Sequence, residues 1–399
     1  MKTIFLASGR SSRMEPLGDK NLLEFGGKPL LLLLLENAKR GGAKNFVVVT
    51  NKNNKKEIAT LLQNAKFSAE LTEQRDLDDG MAGGVRDGLR LVKPSESVLV
   101  LGGNDYFEAK ILNEVLAQGG KNDGAILAKK LQKYFPGGYL QVSGKNIITS
   151  IIEKPGEGKE PSKLVNIVAH FFKKSGDLVA ALDSVKTKRD DVYEVALQRL
   201  FETGKFVAIP YSGVWQAIKY PWHVLELMEI ALASQKTKIS KKALIAKSAK
   251  INGEGVVIED GAKIFDNACI QGPCYVGKNA VVGNNALVRQ SILGENSVAG
   301  FNTEIARSFL AKNVTTHIAY VGDSVVDEGV NFGAFSCTAN LRLDKKTVRV
   351  KVKDELVDSR HEKLGAIVGA GAQIGIHAML MPGVKIERAS FVEPGSIKK

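Results

Sequence analysis

Cysteine, long apolar runs and clustered charge are scarce in this chain of 399 residues, and each scarcity excludes a class of protein. The three cysteines, Cys269, Cys274 and Cys337, are an odd number without metal-ligand spacing, so neither a disulfide framework nor a zinc site is predicted. They fit a reducing compartment, and we expect a cytoplasmic protein. The leucine run at 30–35 is too short to cross a bilayer, and an apolar start of a few residues is too short for a signal peptide.

Basic residues interleaved with aromatic side chains, which are typical of nucleic-acid-binding surfaces, are also missing. The formal net charge is +13, but the lysines are scattered and aromatic residues make up only 7% of the chain. We therefore expect no nucleic-acid partner and no membrane partner. The same charge would attract small anions such as nucleotides, sugar phosphates or coenzyme A.

Hydrophobic patterning divides the chain into 1–233 and 244–399, separated by a polar, cationic stretch at 234–243 that we interpret as a linker. In the first part, short apolar runs alternate with helix-period segments, which predicts an open, largely parallel α/β sheet. The predicted strands are Ile4–Ala7, Phe46–Thr50, Val98–Leu101, Ala125–Ala128, Ile147–Ile152, Val165–Phe172 and Phe206–Ile209. The predicted helices are Leu30–Arg40, Ile58–Lys66, Gly80–Val92, Ile111–Gln118 and Val192–Glu202.

The second part follows a six-residue period, and glycine often comes directly after the apolar position. With two shifts of frame, the apolar positions are Ile245, Ile251 and Val257; Ile258, Ile264, Ile270, Val276, Val282 and Val288; Leu293, Ala299 and Ile305; and Val368, Ile374, Leu380, Ile386 and Val392. This period predicts a parallel β-helix in which three hexads form one triangular coil with the apolar positions inside. It resembles the left-handed β-helix acyltransferases, which commonly form trimers side by side, so the resemblance implies a homotrimer.

The first loop of the chain combines small residues with cations. The apolar run Ile4–Ala7 leads directly into Ser8 and Gly9, and Arg13 and Lys20 follow. Small residues allow backbone N–H groups to approach an anion, and Arg and Lys bind phosphate oxygens. Neither a Walker ending nor a Gly-x-Gly-x-x-Gly turn is present, so spacing alone leaves two interpretations open: a phosphate cradle, or an ordinary turn with surface cations.

Leu6-Ala-Ser-Gly-Arg-Ser-Ser-Arg13, followed by Lys20 and Gly26-Gly-Lys-Pro29, resembles the signature of sugar-1-phosphate nucleotidylyltransferases. The resemblance implies a Rossmann-like domain that joins a nucleoside triphosphate to a sugar-1-phosphate. It also implies nucleotide contacts at Leu6, Ala7, Ser8 and Gly9, with Arg13 on the leaving phosphates and Lys20 at the α-phosphorus. Asp19 departs from the pattern, because the family usually has proline before this lysine.

Three further segments match the same family. Thr72-Glu-Gln74 with Gly80-Met-Ala-Gly83 resembles its base-reading loop, which implies nucleotide contacts at Gln74, Gly80 and Met81, although the family generally has threonine in place of Met81. Ile152-Glu153-Lys154-Pro155 resembles its sugar-contacting element, which implies sugar-phosphate binding by Glu153 and Lys154. Gly138 and Asn166 stand where the family lines the same pocket.

Asp105 follows the predicted strand Val98–Leu101, where a carboxylate either caps a turn or holds Mg²⁺ against a triphosphate. The resemblance implies the second role. Trp215-Gln-Ala217 matches the closing element that normally carries a second metal-binding aspartate, and Ala217 stands in its place. We expect weaker Mg²⁺ binding, or lost activity, as a consequence.

His317-Ile-Ala-Tyr320, Asn331-Phe-Gly-Ala334 and Asn340-Leu-Arg-Leu-Asp344 resemble the acetyltransferase half of archaeal-type bifunctional N-acetylglucosamine-1-phosphate uridylyltransferases. The resemblance implies that His317 is the general base and that Tyr320 and Asn331 hold the amino-sugar phosphate. It places Asn340 and the backbone at Ala334 next to acetyl-coenzyme A. Phe335 replaces a glycine of the family and would narrow the thioester slot. We expect His170 to be a core residue.

Three interpretations of the whole chain follow. It is a two-activity enzyme that acetylates glucosamine-1-phosphate and joins the product to a nucleotide from UTP. Alternatively, it transfers only the nucleotidyl group, and the β-helix is a trimer scaffold. In the third interpretation it is a non-catalytic regulatory subunit, which Ala217 and Phe335 favour, whereas the charged residues retained in both predicted sites favour catalysis.

Overall fold

The computed structural model describes residues 1–187 and 191–399, which form two compact units. The first unit comprises Met1–Arg10 and Leu31–Ala217, and the second comprises Ser11–Leu30 and Ile218–Lys399. The second unit therefore includes the segment that carries Arg13 and Lys20. The α-helices of the described residues are α1 (Leu30–Arg40), α2 (Lys55–Asn64), α3 (Gly80–Leu89), α4 (Ile111–Lys121), α5 (Ser175–Ser184), α6 (Val192–Thr203) and α7 (His223–Ser234).

A nine-stranded mixed sheet forms the centre of the first unit. Its strands are β1 (Lys2–Leu6), β2 (Phe46–Thr50), β3 (Ala69–Glu73), β4 (Val98–Gly102), β5 (Gly124–Lys130), β6 (Gly138–Ser143), β7 (Ile147–Glu153), β8 (Leu164–Phe172) and β9 (Phe206–Tyr211). They lie in the order β3-β2-β1-β4-β8-β5-β9-β7-β6. The adjacent strands β3, β2, β1 and β4 run parallel to one another, and β5 is parallel to β9. Because β8 is antiparallel to β4 and β5, and β7 to β9 and β6, the prediction of a largely parallel sheet is correct for only part of it.

All seven predicted strands and all five predicted helices are present, with ends moved by a few residues. The strands of this sheet that the sequence did not reveal are β3 and β6, which stand at the two ends of the strand order, and β6 also pairs with β8 at Tyr139. An edge strand has one side exposed to water, so it carries polar residues and lacks a continuous apolar run. Residues 69–73 show this directly, because none of them is fully buried.

Helix α3 packs against β1 through glycines. A Cβ atom at Gly88 would lie 2.7 Å from the Ile4 side chain, and one at Gly84 would lie 3.3 Å from Leu6 and 3.4 Å from the Ser8 hydroxyl. The absence of side chains at these two positions lets the helix approach the end of β1. The loop that follows β1 is therefore fixed from one side by α3.

The second unit contains three parallel eight-stranded sheets, the faces of a β-helix. The first face consists of Lys238–Ile239, Val256–Ile258, Cys274–Val276, Ile292–Leu293, Phe309–Leu310, Val325–Val326, Ile367–Val368 and Lys385–Ile386. The second consists of Leu244–Ile245, Lys263–Ile264, Val281–Val282, Val298–Ala299, Thr315–Thr316, Asn331–Phe332, Gln373–Ile374 and Phe391–Val392. The third consists of Lys250–Asn252, Cys269–Gln271, Leu287–Arg289, Glu304–Ala306, Tyr320–Gly322, Cys337–Thr338, Met379–Leu380 and Ile397–Lys398.

Two hairpins accompany these coils within the second unit. The strands Arg349–Val352 and Glu355–Asp358 form an insertion between two coils, after Thr338. The strands Glu24–Phe25 and Lys28–Pro29 form a smaller hairpin near the beginning of the chain. Both belong to the second unit by their contacts.

The predicted inward positions from Ile258 onwards are buried in one core, which confirms the hexapeptide periodicity. The prediction that Val257 points inward is wrong. Ile258, and not Val257, is the inward residue that follows Ile251. The intervening Asn252–Gly255 corner contains Gly253 and Gly255 at positive φ and takes up one extra residue. Ile245 stays 37% exposed, since its strand has a neighbour on one side only.

Corner glycines of the β-helix lie against the backbone of the next coil. A Cβ atom at Gly294 would lie 2.5 Å from the carbonyl carbon of Ala311, and one at Gly277 would lie 2.7 Å from the amide nitrogen of Glu295. Backbone held in a hydrogen-bonded ladder cannot move aside as a flexible side chain can. Close coil stacking therefore explains why glycine follows the inward position.

Replacing Gly294 by alanine is expected to lower the unfolding free energy by about 1–3 kcal/mol, because the added methyl group overlaps the next coil. Gly120→Ala in α4 is the matched control. Its Cβ would have no atom within 4 Å, and alanine favours a helix by up to about 1 kcal/mol, so this variant should be at least as stable as wild type. Urea unfolding followed by circular dichroism measures both, and a Gly294→Ala protein as stable as wild type would contradict the packing argument.

His170 lies wholly inside the first unit, as predicted. Its Nδ1 atom is 2.8 Å from the Tyr193 hydroxyl, and its Nε2 atom is 2.6 Å from the Asn166 side-chain oxygen. Burial lowers the pKa of His170 to about 3, so the imidazole is neutral at physiological pH. The ring joins β8 to α6 through hydrogen bonds that need no charge.

Stability should therefore depend on pH through His170. Between the ordinary pKa of 6.5 and the folded-state value of about 3, the unfolded chain binds a proton that the folded chain does not. The contribution of neutral His170 to the unfolding free energy is complete above pH 6.5, and it falls by up to about 1.4 kcal/mol per pH unit on acidification. His170→Gln should be less stable at pH 7 but show a flatter dependence in urea unfolding between pH 6.5 and 4.5. Parallel curves for the two proteins would show that His170 does not titrate as described.

Candidate functional site

The loop after β1 begins at Ala7 and continues through Ser8, Gly9 and Arg10 in the first unit. The Asn54 side chain donates a hydrogen bond of 2.9 Å to the Ala7 carbonyl, and the Asn51 side chain donates one of 2.9 Å to the Ser8 carbonyl. Within 1–187 and 191–399, no group accepts from the backbone N–H of Gly9 or Arg10. A Cβ atom at Gly9 would meet nothing within 4 Å. The loop thus offers N–H donors and open space, as an anion-binding loop requires.

Gln74 has a buried side chain that supports this loop. Its Oε1 atom accepts from the Ser8 hydroxyl, and its Nε2 atom donates to the carbonyls of Asp76 and Gly80 at 2.8 Å each. Both ends of the amide are therefore engaged within the protein. Gln74 positions Ser8 and the start of α3, whereas its implied contact with a nucleotide stays a prediction. Met81 packs partly against the core of the first unit.

Asp105 begins a short strand, Asp105–Phe107, that pairs antiparallel with Trp215–Ala217. Ala217 lies directly opposite Asp105 in this pairing, and the Trp215 indole N–H donates a hydrogen bond of 2.9 Å to Asp105. A second carboxylate at position 217 would therefore stand beside the first. Because Ala217 has no carboxylate, Asp105 is the one carboxylate at this pair of positions, where the family normally has two.

A cluster that the sequence did not indicate holds the strand Trp215–Ala217 in place. The Tyr211 hydroxyl donates a hydrogen bond of 2.9 Å to Glu108, and Lys129 donates one of 3.0 Å to the Ser212 carbonyl and another to Gly213. The hydrogen bond from Tyr211 lowers the pKa of Glu108, and burial lowers that of Lys129. These three side chains come from distant parts of the chain, and no motif links them.

The residues implied in sugar-phosphate binding gather on β6, β7 and β8. Gly138 lies opposite Glu153, and a Cβ atom at Gly138 would come within 3.2 Å of the Glu153 carboxylate. The ammonium group of Lys154 lies 3.3 Å from that carboxylate. Asn166 comes directly after Val165, which pairs with Tyr139, the residue next to Gly138. The side-chain oxygen of Asn166 forms a hydrogen bond with His170. The structure therefore brings these four predicted residues together.

Arg13 and Lys20 both lie in the second unit. The guanidinium of Arg13 lies 5.8 Å from the centre of the Tyr220 ring, within the range of a cation–π interaction. Lys20 opens a short 3₁₀ turn and is only 8% exposed. Asp19 caps that turn, because its carboxylate accepts a hydrogen bond of 2.9 Å from the Asn21 backbone N–H. This cap is a local reason for aspartate at the position where the family usually has proline.

His317 is exposed at a corner between the second and third faces, and within the described ranges its ring has no hydrogen-bond partner. This corner is short: Thr316 and Val321 are five residues apart, whereas the inward residues of the coils on either side, Ala299–Ile305 and Phe332–Thr338, are six apart. An imidazole without a hydrogen-bond partner at a surface corner is accessible to a substrate, as a general base must be.

Polar side chains connect the coils next to this corner. Asn340 donates a hydrogen bond of 3.1 Å to the Tyr320 hydroxyl and another to Asp323. Arg307 binds Asp323 through two hydrogen bonds of 2.6 Å, and Asp323 raises the pKa of Arg307. Tyr320 and Asn340 were predicted from the sequence, whereas the roles of Arg307 and Asp323 were not. The buried carboxylate fixes the orientation of Asn340.

The other residues implied in acetyl transfer lie on adjacent coils. The Thr315 hydroxyl donates a hydrogen bond of 2.7 Å to the Asn331 side-chain oxygen. The Ala334 carbonyl accepts a hydrogen bond of 2.9 Å from the backbone N–H of His377. Phe335 is 53% exposed, and its ring stacks on His377 with centres 4.9 Å apart. The aromatic ring thus occupies surface next to the His317 corner, where the family has only a glycine hydrogen.

Among the described residues, no three His, Cys, Asp or Glu side chains are grouped so that they could hold a metal ion. Asp105 alone still fits Mg²⁺, which uses one or two carboxylates and takes its other ligands from phosphate oxygens and water. None of the helices in the described residues is both long and apolar enough to cross a membrane.

Comparison with known proteins agrees with this description of the chain. Residues 2–218 match the family described as "Nucleotidyl transferase", and residues 255–290 match "Bacterial transferase hexapeptide (six repeats)". A "Bifunctional sugar-1-phosphate nucleotidylyltransferase/acetyltransferase" from Sulfurisphaera tokodaii is 30% identical over 406 residues, which cover 100% of this chain and 97% of that protein.

Two relatives named "Bifunctional protein GlmU" are also similar over nearly the whole chain. The one from Methanococcus maripaludis strain C7 is 35% identical over 398 residues, covering 98% of this chain and 93% of the relative. The one from Methanocaldococcus jannaschii is 32% identical over 390 residues, covering 97% and 92%. These matches confirm the resemblance found in the sequence: the chain belongs to the nucleotidyl transferase family, joined to a hexapeptide-repeat transferase domain as in its bifunctional archaeal relatives.

Proposed function

We propose that this protein is a two-activity enzyme. One activity transfers a nucleotidyl group from a nucleoside triphosphate, UTP in particular, to N-acetylglucosamine-1-phosphate and releases pyrophosphate. The other transfers an acetyl group from acetyl-coenzyme A to glucosamine-1-phosphate. The observation that carries the proposal is similarity over the full length to bifunctional relatives, together with charged residues retained in both predicted sites. We further propose domains at 1–233 and 244–399 and a homotrimer through the β-helix.

In nucleotidyl transfer, a phosphate oxygen of the sugar-1-phosphate attacks the α-phosphorus, and the bond to the departing pyrophosphate breaks. The residues supply alignment and charge neutralisation, with no covalent intermediate. The free N–H groups at Gly9 and Arg10 support phosphate binding. Arg13 is proposed to hold the leaving phosphates and Lys20 to stabilise charge at the α-phosphorus. Mg²⁺, held by Asp105, would screen the phosphate charges.

In acetyl transfer, His317 accepts a proton from the ammonium group of glucosamine-1-phosphate. The free amine attacks the thioester carbonyl, the C–S bond breaks, and coenzyme A leaves as the thiol. The exposed His317 ring without a partner supports this role. Tyr320 and Asn331 are proposed to hold the sugar phosphate, with Asn340 and the Ala334 backbone next to acetyl-coenzyme A.

Nucleotidyl transfer alone is a second candidate, and Phe335 favours it, because its ring covers surface that a family glycine leaves open. A non-catalytic regulatory subunit is a third candidate, and Ala217 favours it, because this residue leaves Asp105 without a second carboxylate. Assays of the two reactions separate all three candidates.

Two assays on His317→Ala test the proposal. Pyrophosphate release from UTP, N-acetylglucosamine-1-phosphate and Mg²⁺ should remain within about twofold of wild type, because His317 takes no part in that reaction. Thiol release from acetyl-coenzyme A and glucosamine-1-phosphate should fall at least about 100-fold, as expected for loss of a general base.

His361→Ala is the control, since this histidine bonds to Glu226 at 2.9 Å and is assigned no chemistry. Loss of both activities in folded His317→Ala would mean that the sites are not independent. A wild type that releases thiol but no pyrophosphate, or neither product, with a panel of nucleotides and hexose phosphates would reject the two-activity proposal.

Ala217→Asp should strengthen Mg²⁺ binding. The new carboxylate would lie opposite Asp105 at a buried position, so the two would repel each other without metal and share the cation when it is present. We expect Ala217→Asp to have a lower melting temperature than wild type in EDTA, and we expect added Mg²⁺ to restore the melting temperature. Half-maximal pyrophosphate release should occur at an Mg²⁺ concentration about tenfold lower than for wild type. Ala217→Asn has nearly the same shape without the charge and should show neither effect; an unchanged Mg²⁺ dependence of Ala217→Asp would contradict the metal assignment to Asp105.

A further inference from the structure

The segment Ser11–Leu30, which carries Arg13 and Lys20, packs on the β-helix within the second unit. The rings of Phe25 and Phe309, the latter on the first face of the β-helix, lie 5.3 Å apart. A Cβ atom at Gly27 would overlap the Tyr275 hydroxyl oxygen, so glycine is needed there for the close approach. The β-helix surface therefore supports the turn region of the hairpin that follows Lys20.

Asp327, at a corner between the first and second faces, makes a polar contact with this segment. Its Oδ2 atom accepts a hydrogen bond of 2.9 Å from the Gly18 backbone N–H, and its Oδ1 atom accepts one of 2.8 Å from Glu328. Arg388 of a later coil lies 3.5 Å from the same carboxylate. Asp327 is buried, so these hydrogen bonds form out of contact with water.

The carboxylate at this corner is not required by the β-helix itself. The residues that follow the inward position in the two preceding coils are Gly294 and Ala311, neither of which has a polar side chain. Burial raises the pKa of Asp327, which shows that the charged form is disfavoured by its surroundings. Arg388 and the Glu328 N–H are partners of this carboxylate within the β-helix, and the Gly18 N–H is its partner in the segment Ser11–Leu30.

The chain immediately before Lys20 has little freedom to move. A Cβ atom at Gly18 would lie 3.3 Å from the Arg388 guanidinium, and one at Gly369 would lie 2.9 Å from the Pro16 carbonyl oxygen. Asp19 then caps the turn that Lys20 begins. From Pro16 to Lys20, the backbone is held by contacts with β-helix residues and by this local cap.

We propose that Asp327 is a positioning residue for nucleotidyl transfer, because it fixes through the Gly18 N–H the segment that presents Lys20. The inference rests on the proposed nucleotidyl transfer and adds to it a dependence on a β-helix residue that touches no substrate. Lys20 is assigned to charge that grows in the transition state. Misplacing it should lower kcat more than it raises KM.

Asp327→Ala tests this assignment, with Glu328→Ala as the matched control. Glu328 is the next carboxylate in the chain, and it pairs with Lys312 at 3.1 Å instead of with Gly18. We expect Asp327→Ala to lower kcat for pyrophosphate release by about tenfold or more, with KM for both substrates changed less than about twofold. Thiol release in the same preparation should stay at the wild-type rate. Asp327→Asn, whose amide oxygen can still accept from Gly18, should restore part of kcat.

Hydrogen exchange of the peptide that covers residues 15–25 gives a readout independent of activity. Exchange should be faster in Asp327→Ala than in wild type and Glu328→Ala. Wild-type kcat in Asp327→Ala, or an equal loss in Glu328→Ala, would overturn the positioning role while leaving the proposed function intact. Parallel loss of thiol release would indicate general damage and would also overturn it. A wild type without pyrophosphate release rejects the proposed function, and this inference with it, even if the exchange difference is found.

Discussion

The backbone ladder between stacked coils is the constraint on which the second unit depends. It brings corners so close that Gly277 and Gly294 have no room for a side chain. It also requires polar residues inside: the Ser308 N–H donates to the Ser291 hydroxyl at 3.0 Å, and the Ser324 N–H donates to the Ser308 hydroxyl at 3.1 Å. Buried amides at these corners are thereby satisfied. Because Ser11–Leu30 lies on this stack, the positions of Arg13 and Lys20 depend on the same ladder.

Periodicity in the sequence predicted the parts of the fold that repeat a burial pattern. The central strands and the inward rows of the β-helix are such parts, and both are present. Prediction failed where no residue of a strand is fully buried, as at β3, and where an extra residue at Asn252–Gly255 moved the inward position from Val257 to Ile258. The direction of β8 could not be predicted either, because an apolar run looks the same whether a strand is parallel or antiparallel.

Motifs predicted the site residues but did not show what each one touches. Gln74 stands in the base-reading motif, yet its amide is engaged by Ser8, Asp76 and Gly80. The Glu108, Lys129 and Tyr211 cluster supports the strand opposite Asp105, and Asp327 holds Gly18 across 309 residues of sequence. Such contacts depend on folding, so spacing along the chain carries no signal of them.

The corner between the second and third faces contains a column of residues in the left-handed region, and its composition changes at His317. Asn267, Asn285 and Asn302 occupy this column in successive coils, and asparagine tolerates positive φ. The next three members are Ile318, Phe335 and His377, with φ of 43°, 61° and 54°. For β-branched isoleucine this conformation costs roughly 1–3 kcal/mol. Phe335 remains half exposed, so packing offsets little of its own strain. The strained backbone at Ile318 and Phe335 thus sets the coil of His317 and the coil after it apart from the preceding coils, where asparagine occupies the same corner at little cost.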